Sequence, residues 1–211
     1  MNWLAHVLLS PNNIDFQLGN YLADPLKGQV WDEASQDLRA GIQTHISIDS
    51  FTDSHPLVSR SKSRLRPKGL LKPVIIDLTY DYLLTQHWDR FCTISQREFL
   101  DSFNQAGEHR ALSFPSKPQE LILNLTQNDR LNRYNTLEEL LYGFQRIDTR
   151  LSPRLRAKEL ASGYYADVLT NLEGIEEDFL EFFPSLVEYI ERELDTWDII
   201  HLKSTQPLKD Q

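Results

Sequence analysis

The chain holds a single cysteine, Cys92, among its 211 residues. No intramolecular disulfide can form, and a Cys-rich zinc site is excluded. No run approaches the roughly 18 apolar residues of a membrane span. The opening MNWLAHVLLS has no basic n-region, and His6 interrupts its apolar run. These absences predict no signal peptide and a cytoplasmic location. Strand signals are missing too, since no stretch alternates convincingly between hairpin turns. There is no G-x-G-x-x-G, no P-loop, no nucleophile-elbow serine and no internal repeat.

Excess positive charge is also lacking. The formal net charge is −9, which argues against general nucleic-acid binding. Ten acids between Glu173 and Asp198 stand against one base, Arg192, so this segment carries the whole excess. The remainder is balanced and contains a basic run. Arg60, Lys62, Arg64, Arg66, Lys68 and Lys72 fall within thirteen residues that include no acid. A solvated loop is the plain reading of such a run. Its place between two acidic helices also fits contact with a phosphate or an acidic partner.

What is present concentrates between Gly41 and His55, GIQTHISIDSFTDSH. At about 100° per residue, a helix places His45, Asp49 and Asp53 on one stripe flanked by Ile42, Ile46, Ile48 and Phe51. Imidazole and carboxylate are costly to bury unless paired, hydrogen-bonded or metal-bound. A second helix, PVIIDLTYDYLLTQHW from Pro73, sets Asp77 and Asp81 four apart among apolar residues. Like charges at that spacing repel, so a cation is expected between the two stripes. A divalent ion suits oxygen and imidazole donors. The competing reading is a neutral, hydrogen-bonded polar network. His6 is equally compatible with a core histidine, Asp24 before Pro25 with a helix cap, and His55 with a helix end.

Helices are expected over 1–10, 32–55, 73–91, 95–107, 118–133, 136–150, 152–166 and 174–195, with a basic connector over 59–72. Ser95 and Glu98 fit a capping box. The sum is an all-α, single-domain helical bundle over 1–203, with an acidic outer face on its C-terminal half and a polar tail at 204–211.

Four pieces, MNWLAH, LGNYLADPLKG, GIQTHISIDSFTDSHP and DLTYDYLLTQHW, cover most of the first 90 residues. In this order they resemble the acyl carrier protein phosphodiesterases. The resemblance implies a fold related to the HD-type metal-dependent phosphohydrolases. It further implies hydrolysis of the phosphodiester joining 4′-phosphopantetheine to a serine of holo-acyl carrier protein, with Mn²⁺ or Mg²⁺. The matching polar positions are His6, Asp24, His45, Asp49, Asp53, Asp77 and Asp81. Of these, His6, Asp24, His45, Asp49 and Asp77 are expected to hold the metal, and Asp81 or Asp53 to take the proton from the attacking water. Arg60, Lys62, Arg64, Arg66 and Lys68 are expected to meet the phosphate or an acidic carrier protein. His45 and Asp49 are four apart, whereas HD enzymes carry adjacent His-Asp, and Tyr82 stands where the family often has a histidine. Two other readings use the same residues: an HD-type phosphohydrolase acting on a small nucleotide, and a non-enzymatic helical interaction module.

Overall fold

The computed structural model describes residues 1–194 and 197–203, and the expected polar tail at 204–211 lies outside them. The described residues form eleven α-helices and no strand, in a single all-α domain. The one strand-like contact is an isolated bridge between Cys92 and Leu202. In chain order the helices are α1 (Trp3–Leu8), α2 (Ile14–Leu22), α3 (Gln36–Ser54), α4 (Pro56–Arg64), α5 (Lys72–Gln86), α6 (Trp88–Phe91), α7 (Gln96–Ala111), α8 (Ser116–Thr126), α9 (Leu137–Arg150), α10 (Pro153–Arg156) and α11 (Tyr165–Leu194). None of the described helices is long and apolar enough to cross a membrane.

Local signals explain most boundaries. Ser35, Ser95 and Thr136 each accept a hydrogen bond from the backbone three residues on, which starts α3, α7 and α9. The expected connector over 59–72 is partly helical: Pro56 sits in the first turn of α4, and His55 Nδ1 accepts from Leu57 N at 3.3 Å. The expected helix over 73–91 breaks at His87, whose ψ of 20° interrupts α5 before α6. The helix expected over 152–166 shrinks to α10 and a short 3₁₀ turn. The chain then runs straight through Gly174 in α11. That glycine is a packing device, since the Arg64 guanidinium lies across it and a Cβ there would meet Nη1 at 2.2 Å.

Two helices set the geometry of the centre. α2 crosses α3 at the closest approach its glycines allow. A Cβ on Gly19 would stand 2.0 Å from the Leu38 carbonyl oxygen, and one on Gly41 2.0 Å from that of Phe16. Any side chain there would push the helices apart. The helices of the second half close over this pair. Phe179, Phe182 and Phe183 of α11 are fully buried, and Tyr80 and Phe91 pack against them.

α11 is not simply an acidic outer face. Asp178 is fully buried and ties α11 to α4 and α5. It accepts from Arg60 Nε at 2.5 Å, from Arg64 Nε and Nη2 at 2.8 and 3.1 Å, and from Ser61 Oγ at 2.9 Å. Ser61 Oγ in turn lies 2.8 Å from the Tyr80 hydroxyl. Burial alone would raise the Asp178 pKa, but the hydrogen bonds from Arg64, Ser61 and Arg60 hold it below the ordinary carboxylate value. A carboxylate with a depressed folded pKa adds stability above its unfolded pKa, and that stability is lost as pH falls through the folded value. Asp178→Ala is expected to cost about 1–3 kcal/mol, because it removes the acceptor of the buried Ser61 hydroxyl and of two partly exposed guanidiniums. Thermal unfolding should show a drop of roughly 5 °C; a change within 2 °C would mean the pair network is energetically idle.

Candidate metal centre

Five of the polar residues named from sequence converge from four directions. His6 comes from α1, His45 and Asp49 from α3, and Asp77 from α5, while Asp24 follows α2 in a turn. The two imidazoles stack face to face, 3.9 Å between ring centroids and 20° apart in plane.

Asn20 of α2 orients both rings. Its side-chain Oδ1 accepts from His6 Nδ1 at 2.9 Å, and its main-chain oxygen accepts from His45 Nδ1 at 2.8 Å. The direction of the Asn20 amide is set by Nδ2, which donates to the His6 carbonyl at 2.8 Å and to Ser10 Oγ at 3.0 Å. Both Nδ1 atoms therefore carry hydrogen, and both Nε2 atoms point into the centre. His6 Nε2 is 3.2 Å from Asp49 Oδ1, and His45 Nε2 is 3.1 Å from Asp49 Oδ2. His45 Nε2 is also 3.4 Å from Asp24 Oδ1, and His6 Nε2 is 3.1 Å from the Met1 carbonyl oxygen.

Every neighbour of these two Nε2 atoms named here is an acceptor, so a neutral ring opposes lone pair to lone pair. Burial works against a charge on either imidazole. At His6 it prevails and the pKa falls. At His45 hydrogen bonds to Asp24 and Asp49 outweigh it and raise the pKa to about 9. One proton thus satisfies His45 and leaves His6 facing Asp49 and Met1 unpaired. Asp49 resists protonation strongly: burial would raise it, yet the bonds to His45 and His6 hold it far below the carboxylate range. The hydrogen bond from His45 likewise lowers Asp24. A metal ion would remove the conflict at both rings at once. His6, His45 and Asp49 each offer one ligand atom within 4.8 Å of the others, so these three can hold one. Imidazoles whose Nδ1–H groups are anchored to oxygen are the usual arrangement around a bound ion.

The other expected residues sit as follows. Asp77 Oδ1 lies 3.2 Å from the Met1 α-amino nitrogen, which is also 3.8 Å from Asp49. Asp81 is fully buried behind the centre, where Oδ2 accepts from Leu4 N at 3.1 Å and thereby caps α1 from α5. Asp53 points outward to Lys62 Nζ at 3.2 Å. The basic run turns away from the centre: Arg60 and Arg64 clasp Asp178, and Arg66 pairs with Asp167 at 2.7 Å. Lys68 is exposed. Asn20 is the residue that sequence reasoning missed. Its signal was an amide in the apolar stretch FQLGNYL.

Asn20→Ala is expected to weaken Mn²⁺ binding about 10- to 100-fold by calorimetry, with the helical spectrum retained. A loss below threefold would show that the rings keep their aim without it. Asp81 generates a pH effect. Its Oδ1 is buried without a partner, and burial raises its pKa from 3.8 to about 7. The folded state holds that proton longer than the unfolded chain, so stability declines as pH rises between those two values and levels off above them. Asp81→Asn should flatten that decline in melting temperature; an unchanged slope would assign it to another group.

The acyl carrier protein phosphodiesterase family model matches residues 1–186. A curated relative of that name from Photorhabdus laumondii is 30% identical over 90% of this chain and 96% of its own. The Yersinia pestis protein of the same name is 30% identical over 89% and 96%. That of Escherichia coli is 27% identical over 91% and 98%. No solved structure matches the chain. With its family pattern spanning nearly all of the described helices, the chain belongs to the acyl carrier protein phosphodiesterase family.

Proposed function

We propose that this protein removes 4′-phosphopantetheine from holo-acyl carrier protein in the cytoplasm. Water adds to phosphorus, the bond to the serine oxygen breaks, and the products are apo-carrier protein and free phosphopantetheine. The observation that carries the reading is the pair of Asn20-anchored histidines whose Nε2 atoms converge on Asp49. Their kinship with HD-type phosphohydrolases, implied by the resemblance, belongs to the same proposal. Its support is a His/Asp cluster at the centre of an all-α domain.

His6, His45 and Asp49 would hold a divalent ion, Mn²⁺ or Mg²⁺, with Asp24 and Asp77 beside them. When bound, the ion supplies a Lewis acid for the phosphoryl oxygen and an acidified water. The chain's own groups do the rest. Asn20 fixes which ring nitrogens face inward. Two carboxylates touch His45 and reach solvent; Asp49 would serve the ion, and Asp24, the more open at 61% exposed, is the proton acceptor we favour. Asp81 and Asp53, the acceptors expected from sequence, are less suited. The first is sealed behind α1 and the second is paired with Lys62. Asp77 balances the α-amino group, whose pKa burial would lower but Asp77 and Asp49 raise.

The test is mass spectrometry of holo-carrier protein incubated with Mn²⁺, with Mg²⁺ or with EDTA. A metal-dependent loss of the phosphopantetheine mass is expected. His45→Ala and Asp49→Ala should lower the rate at least about 100-fold, as removal of an inner ligand's support already costs 10- to 100-fold. A folded protein that leaves holo-carrier intact with every metal would sink the reading.

A further inference from the structure

Of the cations expected to meet an acidic substrate, Arg60, Arg64 and Arg66 are committed to α11 and Lys62 to Asp53, which leaves Lys68 alone in that run and turns attention to other cations. A cleft of about 200 Å³ opens beside Asp24 and Trp3. Three arginines line it: Arg130, in the 3₁₀ turn after α8, and Arg146 and Arg150, one turn apart on α9. Among the described residues none of the three lies within salt-bridge distance of a carboxylate. The polar contact of the Arg130 guanidinium is an amide, Nη1 to Asn124 Oδ1 at 2.8 Å, and the group sits 5.1 Å over the Trp3 ring. Burial and then the charges of Arg150 and Arg146 depress the Arg130 pKa. The three guanidiniums thus line one cleft with no ion pair among the described residues, a setting that an anion would complement.

The neighbouring acids are engaged elsewhere. Asp148, between the two α9 arginines in sequence, accepts from the backbone of Ala161 at 2.6 Å and of Ser162 at 3.2 Å. Glu139 takes the Asn135 N–H at 2.7 Å. Arg146 also lines an adjoining cavity with Arg133, Glu139 and the exposed Tyr142, so cationic side chains continue outward from Asp24 with one carboxylate among them. Asp24 is the link: it reaches His45 at 3.4 Å on one side and lines this cleft on the other.

We propose that Arg130, Arg146 and Arg150 form the docking subsite for carboxylates on the acidic protein face that carries the phosphodiester. This rests on the proposed function and names where its partner lands. A chain of net charge −9 would repel an acidic protein unless it met it with such a strip. Docking on α9 sets the partner's modified serine over Asp24, because the cleft and the metal centre share that residue.

The experiment is fluorescence anisotropy of apo-carrier protein, which has no phosphodiester, with the full-length enzyme in EDTA. Wild type is expected to bind at low salt and to weaken as salt rises. Arg146→Glu with Arg150→Glu should weaken binding at least about tenfold, in line with measured couplings of interfacial charge pairs. Arg97→Glu, on a 91% exposed side chain of α7 that does not line the cleft, should not. Equal binding by wild type and the α9 variant would overturn the subsite and leave the proposed function standing. Binding of holo- but not apo-carrier protein would also overturn it, by showing that the cleft grips phosphate rather than carboxylate. No binding of either form, together with no turnover, would overturn both.

Discussion

The structure depends on the contact between two backbones. α2 and α3 touch where Gly19 faces Leu38 and Gly41 faces Phe16, and no side chain fits between them. That contact carries the Asn20 main-chain oxygen to within 2.8 Å of His45. A methyl group at either glycine would move the acceptor by more than a hydrogen bond tolerates. The same approach lets the Asn20 side chain reach back to His6 on α1. One residue on one helix therefore registers two histidines that are far apart in sequence.

From that registration the electrostatics follow. Two rings with protonated Nδ1 atoms must present unshared pairs to Asp49, Asp24 and a main-chain carbonyl. A cation in the centre resolves this, and one proton resolves only half of it. Elsewhere the fold handles its buried carboxylates in two opposite ways. Asp178 is surrounded by two guanidiniums and a hydroxyl and stays ionised. Asp81 has backbone donors and an unpartnered oxygen, and its acid form is favoured to about pH 7. The difference lies in the neighbours, since both side chains are fully enclosed.

The basic run shows how a charge pattern can mislead. Arg60, Arg64 and Arg66 are spaced on and just beyond α4 so that they meet Asp178 and Asp167 of α11. A run of cations beside two acidic helices looks like a surface waiting for a partner. The partner was the acidic segment of the same chain, about a hundred residues later. Conversely, Arg130, Arg146 and Arg150 stand apart in sequence with acids interspersed, and only the packing of α9 beside Asp24 makes them one strip.

The sequence by itself determined the all-α class, the helix starts at Ser95 and Thr136, and the stripe of His45 and Asp49. These are consequences of periodicity and capping, which act over a few residues. Its four quoted pieces also marked the family. The tertiary structure alone decided that Asn20 aims the imidazoles, that Asp81 caps α1 and Asp53 turns outward, and that one basic cluster is structural while another is open. Those outcomes depend on which helices meet and at what distance, and hydrogen bonds and ion pairs across such contacts have no period in the chain.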